Sequence, residues 1–440
     1  MTQTRVDAVV PYEASERGSI MWGELRNDRA KFPGILVQFS RIDPKSRKGR
    51  IYLYPTPEQA RRLFAVPPPF TFEGSFFREE NVQEHWKATG IWLNSGSQIT
   101  YKEAFFWTSP WGSIEDLEVT ITTKGPERQS EPFGWYVANR CFLLQVLANR
   151  DENQKADAKK FGLPERSFSL RLSDSSTAEI RRYVTSHRPG VTKETKKMGY
   201  SISVKDLQNA VTTKRDIEAL LILASFASRE RSMLRHWSTE DIDGLMRRYW
   251  TFNIPKCRRR PRGIEPLVPR DPDQCGKFLT SALKVYIEAN HTEMLDAAIY
   301  ALLLDELALE VKIVRLVSGI QSALIFALQE PRTPRSPQIK ALYDKFLEKY
   351  TPDFNDLWPL VGASKGESLS RIRNAAVHGG VFAERDWTAL SYAAENLHWL
   401  LERIILISLG WDIQNSAVSP AGLRFYHAYQ WQSEQRSLKI

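Results

Sequence analysis

The sequence predicts an α+β protein: an N-terminal β-rich domain, sandwich or barrel-like, followed by a C-terminal all-α helical bundle. Three observations carry this. Residues 1–205 hold many short segments rich in β-branched and aromatic residues, separated by turn signals. From Asp206 the hydrophobic period lengthens from two to about three and a half. Beyond Asp273, long apolar segments are bracketed by helix starts and by glycine or proline stops.

Six strands are predicted in the first domain: Gly34–Ser40, Gly49–Tyr54, Phe70–Phe77, Ala88–Leu93, Thr100–Thr108 and Leu117–Thr122. The turns between them include Asn94-Ser95-Gly96 and Ser109-Pro110-Trp111-Gly112. Strands this short and this regularly spaced suit a sandwich or barrel. Aromatic residues are dense here (Trp86, Trp92, Tyr101, Phe105, Trp107, Trp111, Trp135), which suits a β core and also the stacking of bases or sugars. The basic stretch Arg41–Arg50 reads as a charged hairpin connection, or as a phosphate contact.

Residues 206–272 read as a helical and basic connecting region. Ile217, Leu220, Leu221, Ala224 and Ala227 give a helix with a charged end at Arg229-Glu230-Arg231. The run Lys256, Cys257, Arg258, Arg259, Arg260, Pro261, Arg262 is the densest positive charge in the chain. It is either a solvated loop or an arm along an RNA backbone.

Residues 273–410 read as the bundle. Helices are expected over Cys275–Glu288, from Thr292 to about Ala308 with a possible extension to Glu330 broken near Ser318-Gly319, over Gln338–Tyr350, and over Thr388–Leu409 with Gly410 as its stop. In the last of these Leu390, Ala394, Leu397, Leu401, Ile404 and Ile405 face inward. Residues 411–440 form an aromatic tail expected to pack on the body (Phe425, Tyr426, Tyr429, Trp431).

Composition narrows the function. A net charge of +9 and a pI near 9.3 suit a polyanionic partner. Cys141, Cys257 and Cys275 have neither metal spacing nor an even count, so a reduced, cytoplasmic protein is expected, without metal or cofactor. The start Met-Thr-Gln-Thr-Arg is not that of a signal peptide, and no apolar run reaches the roughly eighteen residues of a membrane span, so no membrane partner is expected. No phosphate-binding loop, dinucleotide-binding turn or nucleophile elbow is present. His85, His291, His398 and His427 are isolated and read as packed or surface imidazoles.

One stretch concentrates chemistry: Ser364 to Gly380, Ser-Lys-Gly-Glu-Ser-Leu-Ser-Arg-Ile-Arg-Asn-Ala-Ala-Val-His-Gly-Gly. Ser364 with Glu367 forms a capping box, Leu369, Ile372 and Ala376 recur at helical spacing, and Gly379-Gly380 supply a stop. Asn374 and His378 then share a helix face, and His378 sits at the negative end of the helix dipole. Arg373 lies about 140° around the helix from His378, so two copies of the helix across a two-fold axis would bring both to one phosphate more readily than one copy. The bare Arg-x4-His spacing recurs at Arg182–His187, read as extended, and at Arg231–His236, read as helical but without Asn or a glycine stop.

Arg373-Asn374-Ala375-Ala376-Val377-His378-Gly379 resembles the Arg-polar-x-x-x-His signature of the HEPN superfamily of helical RNA-cleaving domains. The C-terminal half is similar to the subgroup in ApeA-like abortive-infection proteins of bacteria. The resemblance implies a HEPN-like bundle and a homodimeric, metal-independent endoribonuclease of anti-phage defence. It would cut single-stranded or loop RNA, with tRNA the leading substrate, and leave a cyclic phosphate and a 5′-OH. It implies roles for His378 in proton transfer, Arg373 in phosphate neutralisation and Asn374 in orientation. Arg371, Lys256, Arg258, Arg259, Arg260 and Arg262 are the RNA-contact candidates. The N-terminal domain would then sense a phage-derived trigger or select substrate. Many relatives carry an acid in the apolar helix behind the reactive pair; Gln321 stands there in this chain, with Asp305, Glu306 or Glu310 as substitutes. The alternative is a non-catalytic protein of the same kind that dimerises and binds RNA or a partner, with the β domain as ligand sensor.

Overall fold

The computed structural model describes residues 20–39, 49–55, 65–79, 82–93, 111–123, 133–138, 167–172, 176–187, 195–205, 209–240, 245–251, 266–269, 271–304, 308–330, 339–354 and 387–416, with positions 59, 62, 63, 144, 147, 207 and 357. The chain divides into two compact units, 1–139 with 201–213 and 234–256, and 140–200 with 214–233 and 257–440. At the coarse level the protein is α+β, with a β-barrel and sheet region first in sequence and a helical region after it.

The strands are β1 Ile20–Arg26, β2 Lys31–Phe39, β3 Gly49–Tyr54, β4 Phe70–Glu79, β5 Val82–Leu93, β6 Trp111–Ile114, β7 Asp116–Thr123, β8 Phe133–Ala138, β9 Ser167–Arg171, β10 Thr177–His187, β11 Thr195–Lys205, β12 Leu234–Glu240 and β13 Met246–Thr251. In the first unit, β4, β1, β2, β3, β6 and β5 pair in that order, and β5 pairs back onto β4, closing a six-stranded antiparallel barrel. Closure removes the edges that an open sheet would leave. The outer edge of β5 also takes β7, and from there the sheet continues through β13, β12 and β8 to Ile202–Lys205 of β11.

Alternation along each strand fills the barrel. Met21, Leu25, Ile35, Val37, Phe39, Ile51, Leu53, Phe70, Phe72, Trp86, Ala88, Ile91 and Ile114 point inward and are buried. The rings pack edge to face, as with Phe39 and Phe72 at 5.8 Å. A bulge lets β5 bend: Phe70 pairs with Ile91 but Phe72 with Ala88, leaving Thr89 and Gly90 opposite a single residue. Gly90 has φ +60, the left-handed region that glycine reaches without penalty. Of the predicted strands, five lie in β2, β3, β4, β5 and β7; Thr100–Thr108 lies outside the described residues.

Arg231–His236 departs from its helical reading. Leu234–Glu240 is strand β12, paired on both sides by β8 and β13, and Trp237 stacks on its cross-strand partner Tyr249 at 5.7 Å. Sheet pairing on both flanks outweighs the weak local propensity of this segment. Arg182–His187 lies in β10, extended as expected.

The helices are α1 Ala210–Ser228, α2 Pro272–Glu288, α3 Thr292–Leu303, α4 Leu309–Leu328, α5 Ile339–Tyr350 and α6 Trp387–Ser408. Asp271 caps α2, accepting from the backbone N–H groups of Asp273 and Gln274, with Pro272 in the first turn. In the second unit α4 packs against α3, α5 and α6. The expected break at Ser318-Gly319 does not occur, since α4 runs through both residues. Gly319 has a packing reason instead. A Cβ there would lie 2.7 Å from Ala301 Cβ of α3 and 2.8 Å from Leu401 Cδ2 of α6. Gly319→Ala is therefore expected to destabilise the protein by about 1–3 kcal/mol in urea unfolding, although alanine is the better helix former.

By length and apolarity α4 would suffice to cross a membrane, contrary to the reading of the bare sequence; half of that window is buried inside the protein. Ile313, Leu316, Ile320, Ala323 and Leu324 supply the buried face.

Candidate functional site

The helix that follows the Ser364–Gly380 stretch in sequence is α6, and it is apolar almost all round. Ala394, Leu397, Leu401, Ile404 and Ile405 are completely buried, as expected for its inward face. The helix ends at Gly410, where the Gly410 N–H donates to Ile407 O and the Trp411 N–H to Leu406 O, the doubled bond of a glycine-terminated helix. Trp411 then packs edge-on against Phe278 of α2, ring centres 5.3 Å apart.

Inside this apolar helix sits a charge. Glu402 has a side chain only 2 % exposed, and Arg229 reaches it from the end of α1. Arg229 Nε donates to Oε1 at 2.7 Å and Nη2 to Oε2 at 2.6 Å, a forked, charge-assisted pair. Arg229 adopts φ +53, and the turn is closed by its N–H donating to Phe226 O and the Glu230 N–H to Ser225 O. The chain reversal at the end of α1 thus aims the guanidinium.

His398, one helical turn before Glu402, completes the cluster with Nε2 3.3 Å from Glu402 Oε1. Burial opposes ionisation of Glu402, but Arg229 and then His398 outweigh it and hold the carboxyl down to about 2. Burial pushes His398 below the ordinary imidazole range despite the neighbouring carboxylate, with Arg229 and Lys312 adding to the effect. Both Glu402 oxygens are engaged by the guanidinium, so the carboxylate serves as a fastening between α1 and α6 rather than as a base.

A second polar group joins α2 and α3. Tyr286 Oη donates to Asp296 Oδ1 at 2.8 Å, and Arg231 lies over the Tyr300 ring at 5.2 Å. Burial raises Asp296 above the usual carboxylate range, against the hydrogen bond from Tyr286. Among the described residues no three His, Cys, Asp or Glu side chains gather as a metal site.

In the first unit, buried His236 on β12 is held down to about 3, by burial first and then by Arg248 and Arg235. The sign of its linkage is clear. The unfolded chain takes up a proton near pH 6.5 and the folded one only near 3, so stability falls as pH drops through that window. His398 acts in the same direction. Glu402, depressed when folded, adds to the loss once the pH falls below the ordinary carboxylate value of about 4.3. Between pH 7 and 5 His236 alone is expected to remove about 2 kcal/mol, read as a lower denaturation midpoint.

The sequence-predicted residues Arg373, Asn374, His378 and Arg371 lie outside the described residues, as do Lys256, Arg258, Arg259, Arg260, Arg262, Asp305 and Glu306. Glu310 is in the first turn of α4 and Gln321 is half-buried on the same helix. The sequence reading missed Glu402 and its partner Arg229. A signal was there: a helix apolar on every side is buried on every side, so a carboxylate within it requires a cation. No family model, curated protein or solved structure matches the chain.

Proposed function

We propose that this protein is a metal-independent endoribonuclease of HEPN type, acting as a homodimer in anti-phage abortive infection. The single observation that carries the reading is the sequence segment Arg373-Asn374-Ala375-Ala376-Val377-His378-Gly379, preceded in the sequence by the capping-box pattern Ser364-Lys365-Gly366-Glu367 and followed in it by the long apolar helix α6. In the proposed reaction the ribose 2′-OH attacks its own 3′-phosphate. His378 moves the proton, Arg373 neutralises the charge that builds on the phosphate, and Asn374 orients the imidazole. The P–O5′ bond breaks, leaving a cyclic phosphate and a 5′-OH. Such chemistry requires a backbone free to bring the 2′-oxygen in line, which favours loops and single strands, tRNA anticodon loops among them.

The test is incubation of the purified protein with total tRNA in buffer containing chelator, followed by sequencing of the ends. New fragments ending in cyclic phosphate are the expected result. RNA bound but left whole under activating conditions would turn the reading toward a non-catalytic RNA-binding dimer. The β domain is proposed to receive the trigger.

A further inference from the structure

We infer that one row of residues across β5, β7, β13 and β12 is a binding site for a phosphoryl group, carried by a small molecule or free as inorganic phosphate. The row shares no residue with the Arg373–His378 segment and does not rest on the activity proposed for it.

Register assembles the row. His85 of β5 is opposite Thr120 of β7, Thr120 is opposite Arg247 of β13, and Arg247 is opposite Thr239 of β12. The four strands are consecutive neighbours in the sheet. Trp86 and Val119, each next in its strand, belong to the barrel core, so His85 and Thr120 stand on the other side of the sheet. Directly opposed residues share a side, which sets Arg247 and Thr239 there too. The row is exposed at His85, half-buried at Thr120 and Arg247, and closed at Thr239, which is 1 % exposed. Tyr136 walls the closed end: a Cβ on Gly134, opposite Thr239 on β8, would lie 2.8 Å from Tyr136 Cε2.

Two groups in the row lack the partners their chemistry calls for. Thr239 Oγ1 is buried with no hydrogen-bond partner among the described residues, which costs stability unless water or a ligand completes it. Arg247 has neither an ion pair nor a side-chain hydrogen bond among the described residues. At the exposed end the imidazole is already held, with Ser75 Oγ of β4 2.8 Å from His85 Nδ1. When the Ser75 hydroxyl donates, the neutral ring carries its proton on Nε2 and has it to give to a ligand.

The donors select the occupant. Two hydroxyls, an imidazole and a guanidinium come from four neighbouring strands, and the row contains no carboxylate. Two strand spacings put His85 and Arg247 roughly 10 Å apart along the backbone, with the short Thr120 between them. A group seated over Thr120 is within reach of both. A carboxylate has two oxygens and would leave donors unused, whereas a tetrahedral phosphate dianion can engage all four. The acids on this side of the sheet are accounted for. Glu73 is paired with Arg26 at 3.1 Å and with Lys87 at 3.3 Å, and Asp116 accepts from Tyr249 Oη at 2.8 Å. Glu118, one row along and opposite Tyr249, opposes an anion, so its replacement enters the test.

The test uses the full chain carrying Arg373→Ala and His378→Ala, so that phosphate held at that segment is not counted. Inorganic phosphate, ribose 5-phosphate and acetate are titrated at matched ionic strength by calorimetry, and the thermal midpoint is read with and without each. One or both phosphates are expected to bind about tenfold or more tightly than acetate and to raise the midpoint. The tighter of the two identifies the source of the phosphoryl group. Arg247→Met is expected to weaken binding by about tenfold or more, and Arg247→Lys, which keeps the charge without the fork, to fall between. Thr239→Val keeps the shape and removes the hydroxyl. Binding should weaken by about fivefold while the ligand-free midpoint holds or rises, whereas loss of a hydroxyl satisfied within the fold would lower it. Glu118→Gln should tighten binding by about two- to fivefold. Failure of both phosphates to bind, acetate bound as tightly, Arg247→Met within about twofold of the parent, or weaker binding with Glu118→Gln would overturn the proposal. So would a Thr239→Val protein of lower midpoint and unchanged affinity, or binding of a phosphopeptide but of neither small phosphate.

Discussion

Replacing Glu402 by Gln is expected to destabilise the helical unit by about 3–5 kcal/mol, measured as a lower midpoint in guanidinium unfolding. The size follows from what is left behind. Arg229 has a side chain only 16 % exposed, and both of its bonds to Glu402 are shorter than 2.8 Å, so removing the carboxylate takes a forked, charge-assisted pair from a guanidinium that water reaches poorly. The pair itself contributes far less than that penalty, because burying both charges has already cost most of their attraction. A double replacement, Arg229→Met with Glu402→Met, should therefore recover most of the loss. A Glu402→Gln protein as stable as the parent, within about 0.5 kcal/mol, would show that the guanidinium finds another partner or turns out to solvent.

The helices were largely legible because their pattern is local. Pro272–Glu288, Ile339–Tyr350 and Trp387–Ser408 agree with the sequence reading to within a few residues, since caps, period and glycine stops are written in the chain itself. Strands were legible where β-branched residues alternate, as in β3. They were missed where partners decide, as in β12, held between β8 and β13. A barrel was one of the two architectures expected, but the choice between sandwich and barrel was hidden for the same reason: the pairing of β3 with β6 joins segments separated by β4 and β5. Gly319 shows how one residue type carries two meanings. A glycine after a serine in a helical pattern suggested a break, whereas the packed helices show a contact too tight for a methyl group. Arg373–His378 is a motif of the sequence that lies outside the described residues, and the buried Arg229–Glu402 pair was not legible. Arg229 and Glu402 are 173 residues apart, and only the meeting of α1 with α6 makes them partners.

Arg373→Ala and His378→Ala, made separately, are each expected to reduce tRNA cleavage to background while leaving the thermal midpoint unchanged. On the proposed function, each would remove a group acting in the transition state, one a cation at the phosphate, the other the proton carrier; such losses fall on rate and not on fold. Mixing the two inactive proteins separates a composite site from a single-chain one. If each site takes Arg373 from one copy and His378 from its partner, a mixed dimer holds one site with neither group and one with both. Random exchange of subunits makes about half of the dimers mixed, and one of two sites in each is whole, so about a quarter of parental activity should return. A site built within one chain cannot be rescued in this way, because every chain in the mixture lacks one of its two groups. Rescue near a quarter, at a protein concentration where dimers exchange, would therefore favour the two-fold arrangement. Its absence under the same conditions would leave the dimer without a catalytic role. Cleavage that survives both substitutions in one chain would remove Arg373 and His378 from the chemistry altogether.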